Sequence, residues 1–298
     1  MRVLMTGPSS FTGMYVVEAL VAAGHQVVVT STQSLSSYTG VSRKRIERVA
    51  GLVERLHQGV CFGDDRFIDL IAQESFDVYC HHGAWTENYR SMDYDIQGAF
   101  ANNTRSVKRV CDLLAKNGCG KLLVSGSIFA EVAHPFSPYG LVKKMTQQTL
   151  DFYGVASGLQ VSNVVIPNPF GELDNPKLPR YLLTEWAKAG VPTIQTPDYI
   201  RDNIPVDLLA LGIADWVKRC PSTVGRSVYR PSGYVSTMAE FVRRLQRECR
   251  ERTGWACDVS FSKQTDFAQP MRLVNDVPLM PLFPSWDEQA FWDRLVGG

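Results

Sequence analysis

Thr6-Gly7-Pro8-Ser9-Ser10-Phe11-Thr12-Gly13 joins a short apolar run, Val3–Thr6, to an amphipathic one, Phe11–Ala23. Gly7 can turn the chain sharply because it tolerates positive φ. Gly13 has no side chain to hold a helix away from a sheet. The first amides of a helix lack carbonyl partners and sit at the positive end of its dipole, so a turn of this kind suits a phosphate group. Gly7, Ser9, Ser10, Phe11, Thr12 and Gly13 are the candidate phosphate-holding positions. Ser10 stands where the usual fingerprint has a middle glycine, and its hydroxyl adds a donor. Two glycines alone would also describe a plain strand–helix turn. The position adds weight, because this turn follows the first strand of an alternating chain.

Outward from that turn, short apolar runs alternate with amphipathic ones. Val16, Val17, Leu20 and Val21 share a helix face that Gly24 ends, and Val27–Thr30 reads as the second strand. The basic run Ser42–Ile46 opens another helix. Further strands are expected at Val60–Phe62, Phe76–Cys80, Lys121–Ser125 and Gln160–Ile166, and helices at Phe67–Ala72, Ala99–Lys116 and Tyr139–Ala156. Strands joined by helices imply right-handed crossovers and a parallel sheet covered on both faces. The fold class is therefore α/β, with a doubly wound parallel sheet of the Rossmann kind over residues 1–166. After Pro167 prolines become dense, and the helices Leu208–Lys218 and Met238–Arg252 no longer alternate cleanly with strands. Residues 167–298 are expected to form a smaller mixed α/β substrate lobe.

Bulk properties bound the function. The 298 residues carry a net charge of +1, with 45% hydrophobic and 20% charged residues, so no global field points to nucleic acid or membrane. The seven cysteines show no CxxC pair and no metal-ligand spacing, which suggests reduced thiols, a cytoplasmic location and no metal site. The start is too short an apolar run for a signal peptide, and no stretch approaches the ~20 apolar residues of a membrane span.

The second strand ends Val29-Thr30-Ser31-Thr32 without an Asp or Glu. An acid there would hydrogen-bond an adenosine ribose, and its absence removes repulsion against a 2′-phosphate. Ser31, Thr32 and Ser34 could donate to such a phosphate, and Arg43, Lys44 or Arg45 could supply charge. The expected cofactor is NADP, with NAD possible. Arg43–Arg45 would equally suit a solvated helix face.

Tyr139-Gly-Leu-Val-Lys143 places a phenol and an ammonium one helical turn apart. The cation is expected to lower the phenol pKa from about 10 and fit it for proton transfer at a sugar oxygen. Ser127, just past a strand end, could bind the same oxygen. An ordinary amphipathic helix also produces Tyr-x-x-x-Lys, but the order of phosphate loop, serine and then Tyr-x-x-x-Lys makes chance a poor explanation.

With these residues in hand, nearly the whole chain resembles the extended short-chain dehydrogenases/reductases, the NAD(P)-dependent epimerases, dehydratases and reductases of nucleotide sugars. The resemblance makes Ser127, Tyr139 and Lys143 the catalytic trio. It implies cofactor contacts at Asp64 and Asp65 after the third strand, and at His82, Gly83 and Ala84 after the fourth. Asn102, Ser125 and Ile166 complete that set. It implies substrate contacts at Trp85, Ser127, Phe129, Asn168, Arg180, Arg201 and Arg272, with Arg201 meeting the nucleotide diphosphate. The family's dehydratases carry an Asp-Glu pair after the catalytic hydroxyl residue; here Ile128 and Phe129 follow Ser127. Arg105 stands where a glycine usually follows Asn102.

His81 and His82 face opposite ways on a strand and cannot easily share a ligand, so cofactor lining by one is expected. His134 and Glu131 lie in the loop before Tyr139, where an exposed histidine and a weak extra acid are expected. Tyr89 and Tyr94 are expected to wall the sugar pocket. The expected function is NADP-dependent reduction of a ketone on a nucleoside-diphosphate deoxysugar by a homodimer packed through 99–116 and 139–156. The alternatives are a nucleotide-sugar epimerase that keeps NAD bound, and a non-catalytic NADP-sensing protein.

Overall fold

A computed structural model describes residues 1–133 and 136–297; His134 lies outside them. The chain forms two compact units, Met1–Ile166 with Ala210–Arg230, and Pro167–Leu209 with Pro231–Gly298. The sequence suggests a single break at 166/167. The structure differs because the strand Gly225–Tyr229 pairs in parallel with Gln160–Val164 and so returns to the first unit.

In the first unit, β1 (Arg2–Thr6), β2 (Gln26–Ser31), β3 (Arg55–Gln58), β4 (Val78–His81), β5 (Lys121–Ser125) and β6 (Gln160–Val164) form a parallel sheet with Gly225–Tyr229. The spatial order is β3-β2-β1-β4-β5-β6, with the seventh strand outside β6. Its helices are α1 (Phe11–Ala22), α2 (Gly40–Ala50), α3 (Asp65–Gln73), α4 (Ile96–Thr104), α5 (Val107–Lys116) and α6 (Pro138–Ala156). The chain winds outward from β1 in one direction and from β4 in the other. Right-handed crossovers then place α1 and α2 on one face and α5 and α6 on the other. On the latter face Leu4, Val28, Tyr79 and Leu122 pack against Phe67 and Ile71 of α3, Val110 and Leu114 of α5 and Leu150 of α6. Burial on both sheet faces explains why the central strands read as unbroken apolar runs. Truncating Leu122 to alanine in this layer would cost about 2–5 kcal/mol.

Two elements differ from the sequence expectation. The third strand is Arg55–Gln58 rather than Val60–Phe62, because its pairing with β2 is fixed at Val28↔Arg55 and the apolar residues that follow fill the turn. The expected helix over 99–116 is two helices, broken at Ser106, whose φ of 51° lies in the left-handed region.

The second unit holds the sheet of Ile200–Pro205, Tyr234–Thr237, Arg272–Leu273 and Asn168–Phe170, and the helices Leu178–Trp186, Met238–Thr253 and Glu288–Gly297. Its core gathers Phe170, Trp186, Phe241, Leu245, Phe291 and Trp292. A reciprocal cap between Thr237 and Glu240 starts the long helix, and left-handed Gly254 ends it.

Candidate active site

Neighbouring β1 and β4 lead their chains away to opposite sides, which opens a crevice at their carboxyl ends. Gly7 leaves β1 there with φ +73°, and a Cβ on it would stand 2.7 Å from Cα of Gly83 at the end of β4. A Cβ on Gly13 would meet the Gly7 carbonyl oxygen at 2.2 Å. Thr6 ties the two strand ends together, its hydroxyl oxygen accepting from His82 N–H at 3.1 Å and Gly83 N–H at 2.9 Å. Ser10 caps α1: its hydroxyl accepts from Gly13 N–H at 3.0 Å and donates to the Gly7 carbonyl at 2.9 Å. Ser9 and Thr12 are half-buried on this loop and Phe11 is buried. The close approach leaves a backbone-lined cradle at a helix N-terminus, and these residues fit the pyrophosphate of a dinucleotide.

His82 is buried, with Nδ1 2.6 Å from Ser125 Oγ and Nε2 3.0 Å from Thr12 Oγ1 and 3.1 Å from Ser10 Oγ. Burial, with the charge of Lys143, brings its pKa down to about 3. His81 turns the other way, its Nδ1 2.9 Å from the Tyr79 hydroxyl and its ring edge-on to Phe62. Gly83 and Ala84 are half-buried past β4.

α6 starts at Ser137, which accepts from Gly140 N–H, with Pro138 in the first turn. That start sets Tyr139 and Lys143 one turn apart. Lys143 is buried and donates to the Ser125 carbonyl at 2.5 Å. Burial brings its pKa down to about 8. Tyr139 lies edge-on to Tyr89 at 5.3 Å and Tyr94 at 6.2 Å. Here the structure corrects the expectation of a lowered phenol pKa. Burial raises Tyr139 above its ordinary value, helped by Tyr94 and Tyr89. Ser127, half-buried past β5, accepts from Phe129 N–H at 3.3 Å, and Phe129 meets Phe136 edge-on. The Ile166 carbonyl accepts from Ile128 N–H.

Several expected contacts are corrected. Asn102 is exposed on α4, whereas Asn103 is buried. Asn103 Oδ1 accepts from Trp85 N–H at 2.9 Å, and its Nδ2 is buried with no partner. The left-handed residue after it is Ser106, so the sequence motif is displaced by one position. Asp64 commits its carboxylate to Phe67 N–H at 2.7 Å and Cys61 N–H at 2.8 Å as the cap of α3, and Asp65 is exposed. Ser31 gives its hydroxyl proton to the Gln33 carbonyl at 2.8 Å. Thr32 is exposed; Arg43 donates to the Leu35 carbonyl and pairs with Glu47. Arg45 is buried, with its guanidinium 5.6 Å from the Phe11 ring centre. Glu131 pairs with Arg230 at 2.6 Å. Tyr94 donates to the Trp85 carbonyl, and that link with Asn103 anchors the loop carrying the exposed Trp85.

In the second unit Arg201 is buried and donates to the carbonyls of Ile200, Pro270 and Met271 and to Gln269 Oε1. All of these acceptors are neutral. Asn168 is half-buried on a strand paired with Asn203, and Arg180 and Arg272 are exposed. All seven cysteines are free, and no cluster of three or more metal-ligating side chains occurs among the described residues. No described helix is long and apolar enough to cross a membrane.

The sequence model of the NAD dependent epimerase/dehydratase family matches residues 3–193, and the chain belongs to that family. A curated relative, the non-ribosomal peptide synthetase CmlP of Streptomyces venezuelae, is 26% identical over 165 residues, 52% of this chain; the chain spans 17% of its length. Among solved structures, the UDP-glucose 4-epimerase of Thermotoga maritima matches with a TM-score of 0.75 at 18% identity, covering 100% of this chain and 98% of that one. The UDP-glucuronic acid 4-epimerase of Bacillus cereus, in complex with UDP-glucuronic acid and NAD, matches at 0.77 and 14%, with 100% and 98% covered. The dTDP-glucose 4,6-dehydratase DesIV of Streptomyces venezuelae matches at 0.73 and 18%, with 100% and 96% covered. At these identities the likeness is one of fold.

Proposed function

We propose that the chain is an NADP-dependent reductase of a ketone on a nucleoside-diphosphate sugar. The observation that carries this reading is the placing of Tyr139 and Lys143 one helical turn apart on α6, with no acid or base directly after Ser127. A phenol holds its proton at neutral pH and can give it to a carbonyl oxygen as hydride arrives at the carbon. Ser127 polarises the same oxygen, and Lys143 holds the nicotinamide ribose. The bound dinucleotide supplies the hydride. Gly7–Gly13 hold its pyrophosphate, and Asn103, rather than the exposed Asn102, orients the loop at Trp85. Ile128 is buried and Phe129 apolar, so the acid and base that a dehydration needs are missing after Ser127.

The preference for a 2′-phosphate rests on the acid-free end of β2 and on Arg43, with Thr32 and Ser34 as donors. The buried Arg201, bonded only to neutral acceptors, and the exposed Arg272 are the candidates for the substrate's diphosphate. The exposed Phe152 and the groove lined by Phe100, Met145 and Tyr153 support a homodimer formed through α4 and α6. A 4-epimerase using the same trio is the second reading, favoured by the folds shared with the Thermotoga and Bacillus epimerases.

Nucleotides released by denaturing the purified protein separate the two readings. Little bound cofactor and tighter binding of NADPH than NADH support the reductase. Stoichiometric NAD in the released fraction supports the epimerase.

A further inference from the structure

A hydrogen-bonded chain runs from the candidate catalytic lysine to the phosphate loop. Lys143 Nζ donates to the Ser125 carbonyl at 2.5 Å. Ser125 Oγ lies 2.6 Å from His82 Nδ1, and His82 Nε2 lies 3.1 Å from Ser10 Oγ. Ser10 Oγ reaches the Gly7 carbonyl at 2.9 Å. The proton directions follow from the donor inventory. A carbonyl only accepts, so the single Ser10 hydroxyl proton goes to Gly7. Ser10 already accepts from Gly13 N–H, and toward His82 it can only accept again. With Nε2 bare, it and Ser10 Oγ would face each other as two acceptors at 3.1 Å; His82 therefore carries its proton on Nε2, shared with Thr12 Oγ1 at 3.0 Å, and its Nδ1 takes the Ser125 hydroxyl proton.

Ser10 occupies the position that a glycine usually holds in such loops. A side chain there would intrude on a pyrophosphate unless it were turned back into the protein. We infer that His82 is a positioning residue that, as a neutral Nε2–H imidazole, holds Ser10 away from the ligand side of the loop and ties that loop to the Ser125 carbonyl gripping Lys143. Serine at position 10 and histidine at position 82 then form one unit, and a glycine at position 10 would leave His82 only its contacts to Thr12 and Ser125. Burial, which keeps the ring neutral to about pH 3, supports the assignment. This inference rests on the proposed dinucleotide site.

The test is a double-mutant cycle in the full chain: wild type, Ser10→Gly, His82→Leu and both together. The readouts are the NADPH dissociation constant and the thermal midpoint. Losing one hydrogen bond to a loop group is expected to weaken NADPH binding by roughly 3–10-fold in His82→Leu. In the Ser10→Gly background the same change should have a smaller effect, because on the loop it then removes the Thr12 contact alone. Equal affinities for wild type and His82→Leu, or effects that simply multiply, would overturn the inference. Ring ¹⁵N shifts of wild-type His82 provide a readout independent of variant folding: Nε2 should be protonated and Nδ1 bare, and the reverse would also overturn it. Wild type that binds neither NADPH nor NADH would overturn the dinucleotide reading and the inference with it. Wild type that binds, with His82 inert, would overturn the inference alone.

Discussion

Gly7 and Gly83 meet where β1 and β4 part: a Cβ on Gly7 would come within 2.7 Å of Cα of Gly83. Both contacting atoms belong to backbone, so neither can rotate aside. Gly7 also has φ +73°, a region that costs an L-residue about 1–2 kcal/mol. Gly7→Ala should lower stability by at least that amount and abolish dinucleotide binding, as read by chemical denaturation and a cofactor titration. An alanine variant with wild-type affinity would contradict the cradle.

Asn103 and Asn102 should respond in opposite ways. Asn103→Ala leaves the Trp85 amide without its acceptor and should cost about 1–3 kcal/mol. Asn102→Ala, on an exposed face, should stay within about 0.5 kcal/mol of wild type. Denaturant midpoints decide between them, and a larger loss at Asn102 would restore the sequence register.

Lys143 gives the site a pH dependence of known sign. Burial lowers its pKa from 10.5 to about 8, so the cation is present below that value and lost above it. NADPH affinity should decline as pH rises through about 8, and Lys143→Met should bind more weakly at pH 7 but show a flatter profile. Folding stability should move the other way, rising between about pH 8 and 10.5, because the unfolded lysine holds its proton longer. An affinity that is flat from pH 7 to 9 in wild type would remove Lys143 from cofactor binding.

Two of the buried histidines, His81 and His82, act on the acid side. Both have pKa values lowered from 6.5 to about 3, so between those values the unfolded chain binds protons that the folded one does not. Stability is fully present above about pH 6.5 and should fall as pH drops below it. In His82→Leu the slope of denaturant midpoint against pH, between 6.5 and 4.5, should be shallower than in wild type. An unchanged slope would mean that the imidazole titrates in the fold.

Much of this architecture is legible in local sequence. Alternating strands and helices, two glycines after β1 and a Tyr-x-x-x-Lys on a helix are short-range patterns, and each reflects a short-range cause. What escapes is set by tertiary partners. Nothing near Asn102 shows that the helix breaks at Ser106 and turns Asn103 inward. Nothing in Ser31 shows that the Gln33 carbonyl takes its proton. The segment 210–230 joins the first unit because its strand finds β6, a pairing with no sequence signature. The phenol of Tyr139 is raised chiefly by burial, with Tyr94 and Tyr89 adding to it across a loop, which spacing to Lys143 does not reveal.

Oxidation of NADPH in the presence of 4-keto nucleoside-diphosphate sugars tests the central claim most directly, with Tyr139→Phe as control. The account predicts turnover by wild type that depends on the keto sugar, and a loss of about 10²–10⁴-fold in kcat for Tyr139→Phe with NADPH binding retained. NADPH binding without oxidation by any keto sugar, or equal turnover by the phenylalanine variant, would contradict it.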